Sequence, residues 1–137
     1  SVTNTGGADP RDYLTFTVPA GLKLVALNLI AYAPANLGFA SFNVGATSFI
    51  PSAGTDPLFL AGIHVSGAHV GSDLMPEFVN NAVTTNSLLA PELDPGQYCF
   101  LIQQTSPITS TYELEFVIDG NVPTIPSTWG TIKRLYR

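Results

Sequence analysis

The sequence predicts an all-β protein: a single jelly-roll-like antiparallel β-sandwich with extended N- and C-terminal segments. Three observations predict it. Short runs rich in Val, Ile, Phe, Tyr and Thr recur along the chain, and the 12 Gly and 11 Pro fall between them as turn punctuation. No stretch keeps a long helical period. At 137 residues the chain has the size of one ordinary domain, long enough to bury a core without disulfide staples or a structural metal.

Residues 1–8, SVTNTGGA, are small and polar and form an N-terminal segment ahead of a sandwich spanning residues 9–119. The first strand is expected over 12–18 (DYLTFTV) and the second over 22–33 (LKLVALNLIAYA), with PAG making a tight reversal between them. Strands follow over 38–44 (GFASFNV) and 58–66 (LFLAGIHVS), and a weaker one over 74–80 (LMPEFVN). DPG then sets Pro95 and Gly96 as in a type II turn. The next run, QYCFLIQQ (97–104), puts Tyr98, Phe100 and Ile102 on one side and Cys99 and Leu101 on the other, so it reads as a central strand buried on both faces. In YELEFVID (112–119), Tyr112, Leu114, Phe116 and Ile118 share one face, with Glu113, Glu115 and Asp119 opposite. That is the alternation of a half-exposed antiparallel strand.

Composition narrows the function classes. Apolar residues make up 45% of the chain and charged residues 11%, with positive mean hydropathy, whereas ordinary soluble domains carry about 25% charged residues. Apolar surface left uncovered in this way marks contact with a partner chain or a ligand. The net charge of −5 and the scattered or terminal Lys and Arg exclude a nucleic-acid backbone as partner. The longest apolar run, Leu24 to Ala33, is broken by Asn28 and falls far short of the roughly 18 residues of a membrane span. A start at Ser1 fits a secreted chain after signal removal. The single Cys99 allows no internal disulfide, and no Asn-x-Ser/Thr sequon occurs.

DYLTFTVPAGLKLVALNL, then LDPGQYCFLIQQTS about sixty residues on, then TSTYELEFVI, resemble the bacterial pre-peptidase C-terminal domain. That family runs from an Asp and an aromatic strand through a PAG turn to an apolar strand, then PGxYxxxV and a closing YxLxV strand. The resemblance covers roughly residues 9–119. It implies a secreted, non-catalytic jelly-roll-like sandwich attached to or assembled with other extracellular parts, some relatives binding calcium or polymers. On this chain the family's amino-terminal cation position falls on Asn4, Asp9 and Asp12, without the dense acidic cluster that calcium prefers.

No catalytic constellation is recognisable. There is no Gly-x-Ser-x-Gly elbow, and the two histidines, His64 in an apolar strand and His69 in a Gly-rich loop, lack the further ligands a metal pair needs. Glu113 and Glu115 imitate the spacing of a glycosidase pair, but their alternation with a buried face reads as a solvated coat. Cys99, mid-strand among apolar residues, reads as a small core hydrophobe. Only Trp129 looks available for stacking on a sugar.

Residues 120–137 form a Pro-rich connector, GNVPTIPST, and a tail, WGTIKRLYR, holding the only Trp and three of the five positive charges. As a strand, the tail places Trp129, Thr131, Lys133 and Leu135 on one side and Gly130, Ile132, Arg134 and Tyr136 on the other. As a helix it gathers Trp129, Ile132 and Tyr136 on one stripe. Either form needs a surface to dock on. That surface is an edge of its own domain or a neighbouring acidic copy, to which Trp129, Ile132, Lys133, Arg134, Leu135, Tyr136 and Arg137 would bind. The expected function is a secreted structural subunit that self-assembles through its termini into an extracellular filament or layer. The alternative is an accessory module binding polysaccharide or another extracellular polymer.

Overall fold

Six runs of the chain become strands because their apolar residues recur with the period that a pleated sheet buries on one face. The computed structural model describes residues 11–34, 37–46, 58–81, 91–104 and 108–120. They form β1 (Arg11–Val18), β2 (Lys23–Ala33), β3 (Gly38–Val44), β4 (Phe59–Val65), a 3-10 turn (Gly67–His69), the short helix α1 (Met75–Asn80), β5 (Gly96–Gln104) and β6 (Thr111–Asp119). A four-stranded sheet in the order β1-β5-β3-β4 faces a two-stranded sheet of β2 and β6, with antiparallel pairing throughout. The protein is an all-β sandwich. Both terminal segments, 1–8 and 121–137, lie outside the described residues.

β5 lies between β1 and β3 and is buried on both faces from Tyr98 to Ile102, as its continuous apolar run predicts. Its inward row pairs Phe100 with Leu14 of β1 on one side and Phe42 of β3 on the other. Across the core, rings interlock in edge and tilted contacts: Phe42 stands 5.1 Å from Phe100 and 4.8 Å from Phe78, and Phe116 stands 5.7 Å from Phe100 and 5.2 Å from Phe16. These contacts set β6 over β1 and β5. Gly38 opens β3 where the hydroxyl of Tyr32 fills the space a Cβ would take.

The PAG turn is a corner between sheets rather than a hairpin. Leu22 N–H donates to Pro19 O at 3.1 Å, with Gly21 at φ +79°, the left-handed value that the third residue of a type II turn requires. The expected type II turn before β5 takes another form. Gly96 has φ +158°, and the reversal is held by the Tyr98 hydroxyl donating to Asp94 O at 2.8 Å. This is the tyrosine-corner bond that β-sandwiches use where a strand enters the core.

The strand expected over 74–80 is a helix. Pro76 sits in its first turn, where a missing N–H breaks no helical bond, and Met75 and Phe78, three apart, are both buried on one side. Over so short an apolar window the two periods are indistinguishable. α1 packs between β4 and β2 and closes that flank of the sandwich.

Phe42→Ala, removing the ring that joins the four-stranded sheet to α1, is expected to destabilise the fold by about 3–5 kcal/mol. Urea unfolding would read this as a lower midpoint at nearly constant m-value.

Candidate functional site

The even-numbered side chains of β1 point into the sandwich. Phe16 and Val18 pack on the core, and Asp12 and Leu14 continue the row toward the β1 edge of the interior. On β6 the facing row is Tyr112, Leu114 and Phe116, all only partly buried. Leu14 points inward yet is 46% exposed, because nothing among the described residues lies across this flank. The result is a cleft of about 380 Å³ floored by Phe100 and Ile102 and walled by Leu14, Leu114 and Phe116.

One end of the cleft is polar. The Tyr112 hydroxyl donates to Asp12 Oδ2 at 2.6 Å, a strut from β6 to β1 across the open flank. Burial first, and then the bonded carboxylate, hold the Tyr112 phenol well above its ordinary pKa, so it stays a donor. Among the described residues, the lining contains no Ser, Thr, Cys, His or Lys. An apolar trough between two strand edges, with a carboxylate at its end, is suited to an extended peptide bearing a basic group.

A second cleft, of about 420 Å³, lies by the first corner and the end of β6, lined by Leu22, Lys23, Glu92 and Asp119 among others. It is already charge-matched: Lys23 Nζ donates to Glu92 Oε2 at 2.9 Å and stands 3.5 Å from Asp94, and these carboxylates raise the ammonium pKa.

The loop after β4 holds an arrangement that sequence reasoning missed. Ser66 Oγ lies 3.3 Å from His69 Nδ1, and His69 Nε2 lies 3.3 Å from Glu77 Oε2. The order of groups imitates a hydrolase triad, yet the bonds are those of a capping box. Ser66 N–H donates to His69 Nδ1 at 3.1 Å, and Ala68 N–H donates to Ser66 Oγ at 3.3 Å. The single lone pair of Nδ1 thus receives a backbone donor, which leaves the Nε2 proton to face Glu77. The Ser-x-x-His spacing was the signal available.

Of the residues the sequence put forward, Asp12 alone of the cation set is described, at the cleft end with Tyr112; Asn4 and Asp9 lie outside the described residues. Trp129, Ile132, Lys133, Arg134, Leu135, Tyr136 and Arg137 also lie outside them. His64 is exposed on β4, its ring 5.7 Å from that of Phe39, while His69 is tied into the cap, so the two are engaged separately. Among the described residues there is no group of three or more His, Cys, Asp or Glu placed to hold a metal ion. Glu113 and Glu115 coat the outward face of β6, with Glu115 accepting from Asn28 Nδ2 at 2.7 Å. Cys99 is buried.

Comparison with protein-family models, with curated proteins and with solved structures gave no match.

Tyr32, Tyr98 and Tyr112 all have pKa values raised chiefly by burial. A phenol whose folded pKa is raised contributes stability in full below its unfolded value of about 10, and loses it as pH rises toward the folded value. Thermal stability is therefore expected to fall above about pH 10, and Tyr112→Phe to flatten that alkaline limb. The same change should remove about 1.5–3 kcal/mol at neutral pH with the strut to Asp12. Ser66→Ala should lower stability by about 1 kcal/mol, the worth of a cap, while neither it nor the native chain hydrolyses an activated ester.

Proposed function

We propose that this chain is a secreted, non-catalytic structural subunit that assembles with copies of itself, through its terminal segments, into an extracellular filament or layer. The observation that carries this reading is a mismatch built into one chain. Residues 1–120 hold all ten acidic side chains and two of the five basic ones, whereas residues 121–137 hold three basic side chains and no acidic one. The described sandwich presents an apolar cleft with a carboxylate at its end, and the tail has aromatic and aliphatic groups interleaved with cations. Opposite charge steers the two together, and burial of apolar groups at about 1.5–3 kcal/mol per large side chain offsets the ordering of the tail.

A pre-peptidase C-terminal-like character for residues 9–119 belongs to the same proposal. It is supported by the PAG corner, the strand after DPG and the closing strand β6. Polysaccharide binding has weaker support: Tyr13 is the one aromatic ring among the large exposed apolar side chains of the described residues, and a stacking platform needs more. No helix among the described residues is long and apolar enough to cross a membrane.

Sedimentation of the purified chain tests the reading. The native protein should form large regular particles, and deletion of Ser127 to Arg137 should leave a folded β domain that stays monomeric. Trp129→Ala should weaken assembly more than Lys133→Ala, since a large aromatic contact outweighs an exposed charge pair. A native chain that remains monomeric at all concentrations refutes the proposal.

A further inference from the structure

The edges of the sandwich are not equivalent. The outer edge of β2 is sealed by main-chain bonds: Leu24 exchanges two with Leu93 (3.0 and 2.9 Å), Leu29 N–H donates to Ser72 O, and Gly71 and Leu74 N–H groups donate to Leu29 O and Leu27 O. Asp73 completes the seal, its Oδ1 accepting from Leu27 N–H at 2.9 Å and Met75 N–H at 3.0 Å. α1 packs against β4. By contrast, among the described residues no strand or loop pairs with the outer edge of β6, nor with that of β1 from Tyr13 to Val18. These two edges flank the apolar cleft of about 380 Å³. Exposed sheet edges alongside an apolar groove are what an added strand occupies: its main chain completes a sheet and its alternate side chains fill the groove.

Resting on the self-assembly reading above, we propose that the acceptor is this β1/β6 flank. Its occupant is residues 129–136 of a second copy, laid antiparallel along the edge of β6 that no described residue pairs. Chemistry along the two segments fixes the register. β6 offers Phe116, Leu114 and Tyr112 inward, ending at the Asp12 carboxylate, and Glu115 and Glu113 outward. An antiparallel strand with Ile132 opposite Leu114 sets the small Gly130 beside the Phe116 ring and Arg134 at the Asp12 end. Its other face then carries Lys133 opposite Glu113 and Trp129 opposite Val117. Apolar meets apolar, and each of those two cations meets a carboxylate. The opposite choice of face would put Lys133 against Leu14 and Leu114, and is disfavoured by the cost of burying an ammonium among aliphatic groups.

The test uses full-length chains in sedimentation velocity, with circular dichroism confirming the fold. Leu14→Glu spoils the acceptor and Ile132→Asp spoils the donor. Each alone should raise the concentration for half-assembly at least about tenfold, as loss of a central apolar contact does. Mixed, they should form a dimer that grows no further, because one good acceptor and one good donor remain in the pair. Glu113→Lys, on an exposed position, covers the event that Leu14→Glu unfolds: it should weaken assembly at low salt, and Lys133→Glu in the same chain should restore it. If the native chain assembles and both Leu14→Glu and Glu113→Lys assemble as well as it does, the flank is not the acceptor, although self-assembly stands. If the mixture yields only monomers, each with a lowered melting temperature, the tail occupies its own chain's flank and the proposal is overturned. A native chain that never assembles removes both this proposal and the reading beneath it.

Discussion

The contact on which the rest of this structure depends is the meeting of Phe100 with Phe42 and Phe116 at the centre of the sandwich. Phe100 lies on the strand to which β1 and β3 both pair, so its position fixes the four-stranded sheet laterally. The ring of Phe116 against it fixes β6 above. Phe42 extends the cluster to Phe78 and so anchors α1. Close-packed aromatic rings tolerate little volume change, and one cluster therefore joins both sheets and the helix. The cleft is its outer margin: where the rings end, the facing rows of β1 and β6 continue without cover from any described residue.

Among the described residues, only the β2 and β4 flank of the sandwich is closed. Residues 69–81 and 93 are used on β2 and β4, where a helix, a carboxylate and several carbonyls satisfy the sheet edge. With two strands against four, the smaller sheet has no further described strand to lay over β1. Proteins protect such edges with charge, above all Lys. Among the described residues, Arg11 and Lys23 are the only Lys or Arg, and Lys23 is engaged with Glu92 and Asp94.

Much of this was legible in the sequence, for reasons visible in particular residues. Tyr112, Leu114 and Phe116 alternate strictly with Glu113 and Glu115, and a period of two admits no other element; the continuous run at 98–102 announced a strand covered on both sides. The six residues of α1 were misread because Leu74, Met75, Phe78 and Val79 satisfy a strand pattern about as well as one turn and a half of helix. The cleft was not legible, since it arises where two rows about a hundred residues apart in the chain come to face one another. Alternation identifies each row but not its partner. The same limit hid the Ser66, His69 and Glu77 chain, whose third member comes from a helix that the pattern did not reveal.

Electrostatics then decides what can approach the open edge. If the β6 edges of two sandwiches met antiparallel, Glu113 and Glu115 of one copy would lie near those of the other, and like charges facing across a strand pair are destabilising. Every acidic residue of the chain lies in 1–120, so any body-to-body contact at this edge works against the net charge of both partners. A segment with Lys and Arg between apolar residues meets no such opposition. In the proposed assembly the glutamates would do two things with one charge: discourage pairing of one β6 edge with another, and favour an incoming basic strand. Specificity of this kind needs a repulsive element as well as an attractive one, and a chain with only 11% charged residues places both on a single strand.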